Sequence, residues 1–147
     1  MADVAVHSPV RTSLVADISN ADLAATLLRV TMGGLFLAHA YLKIVVFTPA
    51  GTAGYFESLG FPGALAYLVI AAEALGGLAL VLGVATRWVS LALVPILLGS
   101  IYAPHYAAGF IFSNEGGGWE FPAFWAVTLL VQALLGDGAH SLGAKRR

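Results

Sequence analysis

Cysteine is absent from this 147-residue chain, and charged residues are scarce. Without cysteine the chain can form no disulfide, no thiolate metal site and no dithiol redox couple. Charged residues make up 10% of the chain, against about 25% in a typical soluble domain, whereas 59% of its residues are hydrophobic. Because so few ions cannot cover a water-facing surface, the composition predicts an integral membrane protein.

The sequence also lacks the features that recognise nucleic acids and phosphates. Its formal net charge is -1 at pH 7, and no glycine-rich phosphate loop occurs. Glycine is plentiful, but Gly33, Gly34, Gly76 and Gly77 lie inside apolar runs, where small residues let membrane helices approach closely. We therefore expect a lipid bilayer, and no nucleic acid, around this chain.

Four apolar segments predict an all-α, four-transmembrane-helix bundle over residues 22–136. The predicted spans are residues 22–46, 62–83, 85–103 and 120–135. A polar cytoplasmic tail precedes them (1–21), and a basic tail follows (137–147). A cleaved signal peptide ending at residues 38–40 is the alternative, which the long leader with its acidic residues disfavours.

Local signals predict where these segments begin and end. Ser19 and Asp22 are suited to cap the first span. Residues 48–60 are predicted to form a loop. This loop contains a short interfacial turn, which ends at Gly60.

The distribution of basic residues predicts the orientation. Arg11, Arg29, Arg87 and the basic residues at 145–147 fall on one side, and Lys43 falls on the other. The positive-inside rule then places both termini in the cytoplasm and the two long loops outside. We expect a multi-pass protein of the plasma membrane, in bacteria the inner membrane.

Three basic side chains share one face of the first span. Arg29, Met32, Phe36, His39 and Lys43 are spaced 3, 4, 3 and 4 residues apart, which forms one helical stripe. Exposing a central Arg or Lys to lipid costs about 2.5–3.5 kcal/mol on insertion scales. The stripe is therefore predicted to face the interior of the bundle.

Glu73, near the middle of the second span, is the expected partner of this stripe. Arg29 is placed about 8 Å to its cytoplasmic side, which predicts an Arg29–Glu73 ion pair. Gly76 and Gly77, one turn from Glu73, are expected to let the first span approach.

Polar side chains on the spans can then line a funnel that opens outward and closes at Arg29–Glu73. The candidate ligand-binding or proton-path residues are Arg29, His39, Lys43, Glu73, His105 and Glu120. Such side chains supply hydrogen bonds and a proton path within an apolar layer. No catalytic residue is assigned.

Each candidate also has a purely structural interpretation. Lys43 can extend to the headgroups, Arg29–Glu73 can fix the helix register, and His39 can bond a backbone carbonyl. Glu120 can act as a solvated cap. An interfacial aromatic belt is the expected role of Trp88, Trp119, Trp125, Tyr102 and Tyr106.

A haem held by His39 and His105 is disfavoured by geometry. Axial ligands face one iron, whereas these residues are expected to differ in depth by about 6 Å. Two histidines without suitably spaced carboxylates also make a poor metal motif. We predict no metal and no covalent cofactor.

Four stretches of the chain resemble the DoxX-like family of small membrane proteins. They are Arg29 with "GGLFLAHAYLK", "GTAGYFESLGFP", "AAEALGGLALVLGVATRW" and "GDGAHSL". The resemblance implies a four-helix bundle, with the family's Arg, His, Lys and Glu falling on Arg29, His39, Lys43 and Glu73. The sequence departs from the family at Ala40, where a glycine is usual, and in lacking an acidic residue after "SL".

Family members are described broadly as oxidoreductase subunits that occur with quinone-linked and oxidative-stress membrane complexes. The resemblance therefore implies a redox-associated subunit that handles quinone, acting with a partner oxidoreductase because the chain lacks cysteine and a haem motif. A non-enzymatic scaffold for a partner enzyme is one alternative. A small-solute carrier, which would require a homo-oligomer, is another.

Overall fold

The computed structural model describes residues 18–143, and every regular element in that range is helical. The elements are α1 (Asn20–Tyr41), a π-helical turn (Leu42–Val46), α2 (Pro49–Ser58), α3 (Ala64–Leu82), α4 (Thr86–Ser100), a second π-helical turn (Ile101–His105) and α5 (Glu120–Leu135). The predicted all-α class is confirmed.

Three of the helical segments are long and apolar enough to cross a membrane. They are Asn20–Val46, Ala64–Leu82 and Thr86–His105. Helix α5 is apolar but has 16 residues, a length of about 24 Å against a hydrocarbon core of about 30 Å. The fourth span and the cytoplasmic position of both termini therefore stay predictions.

Helix α1 begins at the predicted capping residues. The Ser19 hydroxyl accepts a hydrogen bond from the Asp22 N–H (3.1 Å), and the Asp22 carboxylate accepts one from the Ser19 N–H (3.2 Å). This reciprocal capping box satisfies two amide donors that a helix start otherwise leaves unpaired.

The far end of α1 widens into a π-helical turn. The Phe47 N–H donates to the Leu42 carbonyl, five residues earlier, over 2.8 Å. A turn of this kind interrupts the regular α-helical spacing and is frequent at functional sites. Lys43 lies within this turn, beyond the α-helical part of the predicted stripe.

The segment after this turn contains a ten-residue helix, α2, where the sequence predicted a loop with a short turn. Thr48 caps α2 by accepting a hydrogen bond from the Gly51 N–H (3.1 Å), and Pro49 occupies the first helical position. Proline is favoured there because the first turn needs no donor. The predicted stop at Gly60 is confirmed by its left-handed φ of 86°.

Helices α1 and α3 approach each other through glycines. A Cβ atom at Gly33 would lie 2.7 Å from the Gly77 carbonyl oxygen, and one at Gly77 would lie 2.9 Å from that of Gly33. The sequence suggested that Gly76 also serves this contact. Instead, Gly76 faces the Leu93 side chain of α4. The contact of Gly33 with Gly77 fixes the antiparallel register of α1 and α3.

We expect Gly33→Ala to destabilise the protein by about 1–3 kcal/mol, since the new methyl group meets the Gly77 carbonyl and the Val81 amide as well as the Val81 side chain, and backbone atoms cannot move aside easily. Gly34 is the matched control, because a Cβ there meets nothing within 4 Å. Gly34→Ala should be neutral or stabilise by up to about 1 kcal/mol. Denaturation in detergent followed by circular dichroism measures both; equal effects would show that the close approach is unimportant.

A core cluster lies between α1, α3, α4 and α5, and leucines cover much of the outer surface. The core residues are Met32, Phe36, Leu80, Leu93, Leu97, Trp125, Ala126 and Leu129. On the outside, Leu27, Leu75 and Leu134 are strongly exposed. Exposed leucines on helices of this length are suited to contact lipid.

The segment after α5 folds back across the end of the bundle. The Ala139 N–H donates to the Asp22 carbonyl (3.2 Å), and the Leu142 N–H donates to the Leu82 carbonyl (3.0 Å). The Thr26 hydroxyl donates to the Ala139 carbonyl (2.7 Å). The described part of the predicted C-terminal tail is thus docked on the start of α1 and the end of α3.

Candidate functional site

A lysine and a glutamate form an ion pair inside the helical bundle. The Lys43 Nζ atom lies 2.8 Å from each carboxylate oxygen of Glu73. The Lys43 side chain is 19% exposed and that of Glu73 is 5% exposed. Lys43 comes from the π-helical turn and Glu73 from the middle of α3, so the pair joins the first two long helices.

The predicted pairing of Arg29 with Glu73 is wrong. The Gly33–Gly77 contact places Arg29 one turn to one side of the crossing and Glu73 one turn to the other. Four residues on each helix correspond to a separation of about 12 Å along the bundle. That distance exceeds the reach of the guanidinium, and Lys43 takes its place beside Glu73.

Arg29 instead binds backbone carbonyls at the opposite end of the bundle. Its Nη1 atom donates to the carbonyls of Leu80 and Val81, each over 2.8 Å. Its Nη2 atom makes longer contacts with the carbonyls of Ala139 (3.5 Å) and His140 (3.4 Å). The last carbonyls of a helix lack intrahelical donors and favour a cation, so Arg29 clamps α1 to the end of α3 and to the C-terminal segment.

His39, which lies one helical turn before Lys43, contacts a buried tryptophan. The ring centroids of His39 and Trp125 are 5.2 Å apart. Within residues 18–143, neither ring nitrogen of His39 has a hydrogen-bond partner. His39 therefore retains hydrogen-bonding capacity beside the Lys43–Glu73 pair.

Trp125 is a core residue and not part of the interfacial aromatic belt that the sequence suggested. It is 4% exposed and packs against Phe36 at 4.6 Å and Phe121 at 5.8 Å between ring centroids. Its buried Nε1 atom has no hydrogen-bond acceptor in the part of the chain that the structure describes. A buried donor without a partner costs about 1–3 kcal/mol, so Trp125 carries an unsatisfied donor in the core.

Thr52 supports the π-helical turn from α2, a contact that sequence reasoning missed. Its buried hydroxyl lies 3.2 Å from the Lys43 carbonyl and 2.9 Å from that of Thr48. Thr48 itself has a φ of 63°, which is unusual for a β-branched residue. Helix α2 therefore holds the backbone that carries Lys43, at the cost of local strain.

His105 and Glu120 organise the second long loop and do not join the Lys43–Glu73 pair. The His105 Nδ1 atom lies 2.7 Å from the Gly117 carbonyl oxygen, and the Glu120 carboxylate accepts from the Phe112 N–H over 2.8 Å. Among the described residues, no hydrogen bond or ion pair links either side chain to Lys43 or Glu73. The six residues of the predicted funnel therefore lie in three separate places: at the Lys43–Glu73 pair with His39, at Arg29 on the opposite end of the bundle, and at His105 and Glu120 in the second loop.

Comparisons with known proteins point to one family. The family model DoxX matches residues 24–106, which include Arg29, His39, Lys43 and Glu73. A Bacillus subtilis (strain 168) protein named "Putative oxidoreductase CatD" is 32% identical over 116 residues, covering 79% of this chain and 81% of the relative. No solved structure has a significant match.

Proposed function

Since the chain belongs to the DoxX family of membrane proteins, we propose that it is a quinone-binding redox subunit of the plasma membrane. The Lys43–Glu73 pair, His39 and Trp125 form the proposed site. The observation that carries the proposal is the ion pair itself, buried where three apolar helices are long enough to cross a bilayer. The name of the Bacillus subtilis relative supports an oxidoreductase role.

The ion pair is costly as a purely structural element. Taking two charges out of water costs several kcal/mol per ion, and their attraction often does no more than offset that cost. Ionisable side chains inside membranes accordingly tend to mark ligand or proton pathways. The π-helical turn and the strained Thr48 at this position are further features typical of functional sites.

The unpaired donor of Trp125 is suited to a carbonyl ligand. A quinone head group is a flat apolar ring with two carbonyl acceptors, and Trp125 and the neighbouring His39 offer hydrogen-bonding nitrogens that have no partner among the described residues. The Nε1–H of Trp125 would bind one carbonyl oxygen. The unpartnered ring nitrogens of His39 would supply the second polar contact.

Lys43 and Glu73 would handle the protons. A quinone takes up two electrons and two protons to become a quinol. Lys43 Nζ would donate one proton to the reduced ring, and Glu73, 2.8 Å away, would pass a proton from the aqueous side to Nζ, so that two such transfers supply both protons and leave the ion pair restored. Because the chain has no cysteine for a dithiol or a thiolate-bound iron–sulfur cluster, a partner oxidoreductase would supply the electrons.

The test removes one hydrogen-bond donor while keeping an aromatic ring. Trp125→Phe should lower the quinone retained by protein extracted in native lipid about three- to tenfold, as expected for one lost hydrogen bond. Trp88→Phe is the control, because Trp88 lies on the exposed surface. Quinone is extracted and quantified by chromatography; unchanged quinone in Trp125→Phe, or none in the wild type, would overturn the assignment.

A further inference from the structure

A groove on the outer surface of the bundle lies between α4 and α5, away from the Lys43–Glu73 pair. It has a volume of about 420 Å³ and is lined by Arg87, Leu91, Leu130, Ala133 and Leu134. Four of these five residues are apolar, so one guanidinium supplies the charge of the groove. This combination of a cation with apolar walls has no part in the proposed quinone site.

Arg87 is anchored so that its terminal nitrogens remain available. Its Nε atom donates to the Ala133 carbonyl over 3.0 Å, which ties the first turn of α4 to the last turns of α5. Its two Nη atoms have no partner within residues 18–143. A guanidinium with both terminal nitrogens unpaired is a fork that matches two oxygens of a phosphodiester.

The lining residues place the charge of the groove at the end of the helices and its apolar walls toward their middle. A phospholipid has the same order, with its phosphate at the membrane surface and its acyl chains inside. Arg87 lies at the start of α4, one turn before Leu91, and Leu130 lies one turn of α5 before Leu134. The groove therefore extends about 6 Å from the end of the helices toward their middle. The adjacent Trp88 is exposed, as tryptophans at the membrane surface commonly are.

We propose that this groove binds one anionic phospholipid, with the Arg87 guanidinium on its phosphodiester and an acyl chain along Leu91, Leu130 and Leu134. A zwitterionic lipid carries its own ammonium group, which competes with Arg87 for the phosphate. An anionic lipid has no such group, so Arg87 gives it preference. This proposal does not depend on the quinone site.

The test is lipid selectivity of the full chain in nanodiscs that contain equal amounts of dioleoylphosphatidylglycerol and dioleoylphosphatidylcholine. Native mass spectrometry of the released protein measures the ratio of the two retained lipids. We expect the wild type to favour phosphatidylglycerol about fivefold, and Arg87→Gln to bring the ratio to about one. Equal retention by the wild type, or an unchanged preference in Arg87→Gln, would overturn the proposal.

A second pair of variants tests the apolar part of the groove. Leu130→Trp fills the groove and should reduce the retained lipid several-fold while Arg87 is kept. Leu78→Trp is the matched control, since Leu78 is a similarly exposed leucine on α3 and should leave retention unchanged. Equal retention in both tryptophan variants would show that the lipid does not lie in this groove.

Discussion

Replacing Lys43 with Met should lower the free energy of unfolding by about 3–5 kcal/mol. The substitution keeps the length and apolar character of the side chain but leaves the Glu73 carboxylate, 5% exposed, without its counter-charge. Glu73→Met should have an effect of similar size, because it leaves the Lys43 ammonium unpaired. Detergent-induced unfolding followed by circular dichroism measures both single variants.

The double variant Lys43→Met/Glu73→Met distinguishes the contribution of the ion pair to stability from the cost of leaving one charge unpaired. Replacing a buried ion pair with apolar residues of similar volume is often neutral or stabilising. We therefore expect the double variant to recover most of the stability that each single variant loses. If the double variant instead loses the sum of the stability lost by the two single variants, this view of the pair is contradicted. Glu115→Gln, in the exposed second loop, is the control for the removal of a carboxylate elsewhere.

Arg29→Gln should destabilise the protein by about 3 kcal/mol or more. Arg29 is 1% exposed, and its guanidinium serves two carbonyls of α3 and two of the C-terminal segment. Hydrogen bonds to a charged group are worth about 1.5–3 kcal/mol each, although such values do not add fully. Glutamine has one short amide in place of the fork, so the carbonyls of Val81 and His140 lose their donor, whereas those of Leu80 and Ala139 keep the Gly83 N–H and the Thr26 hydroxyl.

Hydrogen exchange distinguishes this clamp from a role in ligand binding. In Arg29→Gln, the amides of Ala139 and Leu142 should exchange faster, because the C-terminal segment is released from the ends of α1 and α3. Quinone content per folded molecule should stay at the wild-type level, since Arg29 lies about 12 Å along the bundle from Glu73. Loss of quinone with unchanged exchange would instead place Arg29 in the binding site.

The ends of the helices were largely predictable because they depend on local chemistry. Ser19 and Asp22 cap α1, Gly83 adopts the left-handed conformation that ends α3, and α5 occupies the predicted 120–135 segment. Helix α2 was missed since its apolar pattern is weak. Its start depends on Thr48 and Pro49, a capping signal that could have been recognised.

The residues of the ion pair were predictable, but their pairing was not. Lys43 and Glu73 each stand out as charges inside apolar runs. Which basic residue meets Glu73 depends on the register of α1 along α3. The Gly33–Gly77 contact sets this register, and it can be seen only in the folded structure. Gly34 and Gly76 were equally plausible contacts in the sequence. The π-helical turn that carries Lys43 has no clear sequence signature either.

Trp125 was misplaced because tryptophan is common both at membrane surfaces and in helix contacts. Its position near the start of a predicted span suggested the aromatic belt. The structure packs it against Phe36 and His39 instead. The periodicity of α5 offered a signal, since Pro122, Trp125 and Leu129 share one buried face.

Quinone content of the Lys43→Met/Glu73→Met variant tests the central claim most directly. The wild type and the double variant are extracted in native lipid, their folding is checked by circular dichroism, and bound quinone is quantified per protein. A functional pair predicts quinone in the wild type and none above background in an equally folded double variant. Equal quinone in both proteins would contradict the account and make the Lys43–Glu73 pair a structural element of the bundle.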